Sequence, residues 1–223
     1  MTRRLPLALV VFALLAAAAP VAAQSKPRPR PAPPSRSFHI GGYGVFGLMN
    51  FTAVETFDAV LGKSSGNIYG GGATLGLPLG GLFVDVGAWR FKENGERVFI
   101  NNREVFRLGI PVTITITPLE LTAGWKFRLR NSKLVPYAGG GLTMYGYKET
   151  SKFSTPSEDV DERFNGYHVM GGVEYKVMRW LGAGGALAWT TIPDAIGTGG
   201  AAKAFGETDL GGASFRLKIT VGR

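Results

Sequence analysis

The chain has 223 residues, 45% of them hydrophobic, no cysteine and a formal charge of +9. Lack of cysteine excludes a disulfide scaffold, a thiolate metal site, a cysteine nucleophile and a lipoprotein anchor. Six of the basic residues (Arg3, Arg4, Lys26, Arg28, Arg30 and Arg36) precede residue 37, so the remainder carries 19 basic and 16 acidic residues, a net of +3 without a basic, aromatic-interleaved stripe, and nucleic acid is not expected as a partner.

In chain order, residues 1–23 read as a secretory signal. Arg3 and Arg4 start it, residues 5–19 form an apolar run broken by Pro6, and Val21-Ala22-Ala23 sets small residues at −3 and −1 before Gln24. The run is ~15 residues against the ~20 a spanning helix needs, so cleavage and export are expected. Residues 24–36 (QSKPRPRPAPPSR) form a Pro-rich basic linker. Fixed φ and missing N–H groups predict an extended segment of up to ~40 Å, either a spacer or a tether for acidic polymer or lipid headgroups.

Residues 37–223 hold all 33 glycines, a density that disfavours helices. Their recurring signal is period-two alternation over segments of about ten residues between polar or Gly/Pro-rich breaks. The last segment is clearest: Phe215, Leu217, Ile219 and Val221 share one face, and Ser214, Arg216, Lys218 and Thr220 the other. Eight strands are predicted, at about 37–49, 67–77, 82–100, 103–129, 134–148, 163–177, 180–190 and 206–222. Within 103–129 the apolar parity flips at Pro118. A β-bulge there keeps the faces consistent; a turn at Thr117-Pro118 would give an odd strand count, against the even number expected of bacterial barrels.

Connections at 77–81, 130–133 and 178–179 are short, those at 50–66, 149–162 and 191–205 long, and a hairpin tip falls near Asn101-Asn102. Short turns at one rim and long loops at the other predict an all-β, eight-stranded antiparallel transmembrane up-and-down barrel with periplasmic termini. The faces opposite the apolar ones carry Asp85, Glu120, Lys126, Arg128, His168, Glu174, Lys176, Arg216 and Lys218, which predicts a polar, packed interior. Aromatic pairs near strand ends (Trp89 and Phe91, Trp125 and Phe127, Tyr145 and Tyr147, Tyr175 and Trp180) are expected as interfacial girdles.

Val135-Pro136-Tyr137-Ala138-Gly139-Gly140-Gly141, opening a strand after a short turn, resembles the Pro-Tyr-x-Gly-x-Gly segment of OmpA-like and OmpW-like eight-stranded outer-membrane barrels. Apolar residues at −3, −5, −7 and −9 from the C-terminus resemble the assembly signal of those proteins, with Arg223 in place of the usual terminal aromatic. The resemblance implies the bacterial outer membrane, contact with its lipids and handling by the barrel-assembly machinery. A monomer is expected, with no peptidoglycan-binding domain after the barrel. Its OmpW-like side implies a narrow conduit for small molecules.

No catalytic residue, cofactor or metal site is expected. His168 and Glu174 stand six residues apart on one face, ~20 Å along a strand, too far to pair. No histidine–serine–acid cluster of the lipid-modifying barrel enzymes can be assigned. Ser157-Glu158-Asp159-Val160-Asp161-Glu162 lacks EF-hand spacing and reads as a solvated acidic loop rather than a cation site. Gly70-Gly71-Gly72 and Gly139-Gly140-Gly141 precede no helix, so they are not phosphate cradles and instead make room for large neighbours. A lumen cluster of Asp85, Glu120, Lys126, Glu174, Lys176, Arg216 and Lys218 is expected, with Arg216 the bidentate donor and Glu120 and Glu174 each meeting a cation from another strand. Three functions stay open: a plugged structural or surface-anchor barrel, a conduit, and a lipid-modifying enzyme.

Overall fold

The computed structural model describes residues 38–151, 153 and 160–222; the signal, the linker, residues 157–159 and Arg223 lie outside the described residues. Eight antiparallel strands close on one another in chain order: β1 (His39–Phe51), β2 (Ser65–Gly76), β3 (Leu82–Asn101), β4 (Glu104–Lys126), β5 (Leu134–Thr150), β6 (Val160–Lys176), β7 (Leu181–Thr191) and β8 (Gly212–Gly222). β1 completes the ring against β8, from Gly41 opposite Gly222 to Phe51 opposite Gly212. Closure pairs every strand on both sides, which is how a sheet satisfies its backbone in lipid. The expected architecture and strand count hold.

The wall alternates as a pleated strand must. Even-numbered residues of β4, β6 and β8 and odd-numbered residues of β1, β3 and β5 point inward. Leu119, Leu121, Leu142, Leu187, Leu217 and Ile219 point outward and are about half exposed or more. An apolar belt this continuous is not compatible with water. Trp125, Phe127, Tyr175 and Trp180 are outward or exposed at the short-turn rim and form the girdle expected of them.

The other girdle is elsewhere. Trp89, Phe91 and Tyr145 are buried in the lumen and Tyr147 packs beside them. Tyr69, Tyr167 and Trp189 are the exposed aromatics where the belt gives way to polar side chains, with Trp189 Nε1 donating to Thr191 Oγ1 at 3.3 Å. The expected girdle thus holds for Trp125, Phe127, Tyr175 and Trp180 but not for Trp89, Phe91, Tyr145 and Tyr147, which lie within β3 and β5 and face the lumen, because aromatics also fill the core.

The bulge expected at Pro118 is absent. β4 runs opposite β5 without a slip from Thr113–Thr150 to Lys126–Tyr137, with Pro118 opposite Tyr145. Val112, Ile114, Ile116, Pro118, Glu120 and Thr122 therefore all point inward. The apolar parity flips because the upper lumen is apolar, while the backbone keeps its register. The actual irregularity lies between Glu96 and Val98, opposite Gly109. Gly109 has φ +70°, a left-handed conformation suited to glycine, and its N–H donates to the Glu96 carboxylate.

Two short helices occupy segments expected as long loops, 50–66 and 191–205. α1 (Val54–Leu61) lies within 50–66, and α2 (Gly200–Phe205) precedes β8, which begins at Gly212 rather than 206. Glu207 caps α1 from afar, accepting from the N–H groups of Glu55 at 3.0 Å and Thr56 at 2.8 Å, and Gly62 ends it at φ +74°. Phe57 of α1 stacks on Phe51 with ring centroids 4.1 Å apart and meets Phe91 edge-on. The long-loop end of the lumen is thus filled by an apolar core of α1 and inward residues such as Met49, Ile68, Phe91, Ile114, Ile116 and Ile192.

Candidate functional site in the lumen

Below that core the inward positions become polar. β4 contributes Glu120 and β8 contributes Arg216 from across the barrel, and the two close as a fork: Nη1 donates to Oε2 at 2.6 Å and Nη2 to Oε1 at 2.8 Å. Arg216 Nε donates to Ser214 Oγ at 3.0 Å, and Trp89 Nε1 donates to Glu120 Oε1 at 2.8 Å. Both charged groups are buried (Glu120 5% and Arg216 6% exposed), yet their oxygens and N–H groups have partners, the condition under which burying charge is tolerable. The guanidinium also sits 5.6 Å from the centre of the Trp89 ring.

Two positions nearer the short-turn rim, Asp85 accepts from Tyr43 Oη, from Thr74 Oγ1 at 2.6 Å and from Lys218 Nζ at 3.3 Å. Lys218 lies over the Tyr43 ring at 3.5 Å. Beside these layers His168 is held between Thr122 Oγ1 (2.8 Å, to Nε2) and Thr143 Oγ1 (2.7 Å, to Nδ1). It is interior, with both ring nitrogens hydrogen-bonded to threonine hydroxyls. Glycines supply the room: a Cβ on Gly87 or Gly72 would strike the Tyr43 hydroxyl, and one on Gly172 would meet the Tyr137 ring.

Lys126 and Glu174 form the lowest pair, Nζ to Oε2 at 3.6 Å, with 31% and 15% of their side chains exposed. They sit at the floor of a cavity of about 400 Å³ that opens at the short-turn rim. Lys176 lines this mouth, and none of the ion pairs includes it. Six of the seven expected cluster residues are therefore brought into acid–base contact, and Lys176 is left at the rim because its strand ends there. Tyr43, Trp89 and the His168 threonines were not anticipated as partners. Only cross-lumen distances reveal them, although their inward parity was readable.

Among the described residues no group of three or more His, Cys, Asp or Glu is placed to hold a metal ion. Asp161, from the acidic stretch, pairs instead with Lys148 at 3.7 Å.

The N-terminal barrel of OprF from Pseudomonas aeruginosa is 12% identical, with 82% of this chain and 97% of that one covered and a TM-score of 0.45. Neisserial surface protein A is 12% identical over 82% and 96%, with a TM-score of 0.49. Ail of Yersinia pestis is 10% identical over 83% and 97%, also at 0.49. Comparison with curated protein sequences finds no match. The family described as outer membrane protein beta-barrel domain matches residues 8–185, most of the chain, in agreement with the closed wall, outward apolar belt and polar lumen. The chain belongs to that family, and its place is the bacterial outer membrane.

Proposed function

We propose that the protein is a non-enzymatic surface anchor, a monomeric barrel with a sealed lumen that holds an extracellular hairpin above the membrane. The supporting observation is a double obstruction: the Glu120–Arg216 and Asp85–Lys218 layers, and above them the apolar core capped by α1. With short turns facing the periplasm, the long loops and the β3–β4 hairpin face outward. Beyond Glu96 and Pro111 that hairpin runs past the last β4–β5 pair for ~20 Å and turns at Asn102 and Arg103, both at positive φ. Phe99, Val105, Phe106 and Leu108 are exposed along it, beside Arg103 and Arg107, a combination suited to contact rather than to solvent alone. Insertion would follow the route of other barrels, through the barrel-assembly machinery, with Phe215, Leu217, Ile219 and Val221 of β8 outward and Arg223 replacing the usual aromatic.

The test is conductance of the refolded protein in a planar bilayer. A sealed anchor gives no discrete current steps. Reproducible unitary steps would replace this reading with the conduit.

A further inference from the structure

We propose that the periplasmic mouth of the barrel binds a small, water-borne oxyanion carrying more than one negative charge. The blind cavity of about 400 Å³ is walled by Lys126, Arg128, Lys176 and Arg179, with the hydroxyls of Thr74 and Thr220. Glu174 is the one carboxylate in that wall, and Lys126 already engages it at 3.6 Å. Arg128, Lys176 and Arg179 enter no ion pair among the described residues, so three cations face one cavity with no described carboxylate paired to them.

The wider charge distribution points the same way. Among the described residues the short-turn end carries Lys126, Arg128, Arg130, Lys133, Lys176 and Arg179 against Glu174 alone. Every other described carboxylate outside the buried lumen layers, from Glu55 to Asp209, belongs to the extracellular end. The low net charge of the body is therefore the sum of two unlike ends. Apolar walls at Phe83, Val135 and Leu181 lower the local dielectric and concentrate the positive field in the cavity.

Geometry favours a solute over a bilayer lipid. Lys126 and Lys176 occupy inward-facing positions, and the cavity opens between the strand ends rather than through the lipid-facing wall. Guanidinium forks at Arg128 and Arg179 match carboxylate and phosphate oxygens alike, so oxyanion chemistry is the shared feature of the occupant. A single charge would leave most of the cation repulsion in place, and two or more would relieve it.

The experiment is calorimetric titration of the full-length exported protein, folded in maltoside micelles, with inorganic pyrophosphate and separately with citrate. One-to-one binding is expected. Lys176→Ala and Arg179→Ala should each weaken it by roughly five- to tenfold, the scale of one partly exposed charge-assisted contact. Glu174→Gln should tighten binding, a gain that misfolding cannot imitate. Lys133→Ala removes a rim charge outside the cavity and should leave affinity unchanged. Pyrophosphate alone binding assigns a phosphate-type occupant, and citrate alone a carboxylate-type one. Three results would overturn the proposal: no binding of either probe, equal weakening by Lys133→Ala and Lys176→Ala, or loss of probe binding in nanodiscs once phosphatidylglycerol is added, which would give the site to a lipid headgroup.

Discussion

Glu120 and Arg216 show how position sets the worth of a charge. Their fork is buried, so removing one partner strands the other in a low-dielectric interior. Glu120→Ala should destabilise the barrel by roughly 3–5 kcal/mol, measured by urea unfolding from lipid vesicles. The double change Glu120→Leu with Arg216→Met should cost much less than either single change. What remains should be mostly the orphaned Trp89 N–H, about 1–3 kcal/mol. A double variant as unstable as the sum of the singles would show that the pair contributes nothing jointly. Glu174 offers the contrast. Its contact with Lys126 is longer and partly exposed at the mouth, so Glu174→Ala should cost no more than about 1 kcal/mol in the same assay. Both acids have the same residue type, the same parity and a cation across the lumen, and only depth separates their effects.

β4 shows what alternation reveals and where it misleads. Its lower half, with Leu119, Leu121 and Trp125 outward and Glu120 and Lys126 inward, is legible because one face meets lipid and the other a polar lumen. In its upper half Ile114 and Ile116 are apolar for the opposite reason, since they line the core under α1, and Val112 is likewise inward and buried. Period two survives while the sign of the hydrophobic face reverses, and a parity rule that assumes apolar means outward then invents a bulge at Pro118. α1 escaped prediction because eight residues show only two turns of periodicity, and its N-terminal cap, Glu207, lies far away in sequence. Its anchor is Phe57, buried between Phe51 and Phe91. Phe57→Ala should therefore cost roughly 3–5 kcal/mol if the cap cannot collapse. Increased hydrogen exchange confined to residues 52–64 would mark local loss of the plug. Unchanged exchange there would show that α1 is held by its other contacts.

For the molecule as a whole, two layers are stacked in the lumen, one ionic and one apolar, and they meet at Trp89, which belongs to the apolar cluster and donates to Glu120. Replacing both Glu120 and Arg216 with alanine widens the lower lumen but leaves the core of Phe57, Phe91 and Ile116 above it. The planar bilayer should therefore remain without current steps in that double variant. Steps appearing on this change alone would make the ionic layer the only seal. The same vertical order separates charge among the described residues, with carboxylates concentrated at the long-loop end and cations at the short-turn mouth, a polarity invisible in a net of +3. Local alternation, turn chemistry and loop length made eight strands and the inward parity of Glu120, Glu174, Arg216 and Lys218 legible in the sequence, because each depends on neighbours a few residues apart. Which acid meets which cation, which aromatics face the core, where the apolar plug begins and where a cavity stays open were decided only by tertiary structure. Those features depend on distances across the lumen between strands as far apart in the chain as β4 and β8, and no local pattern carries them.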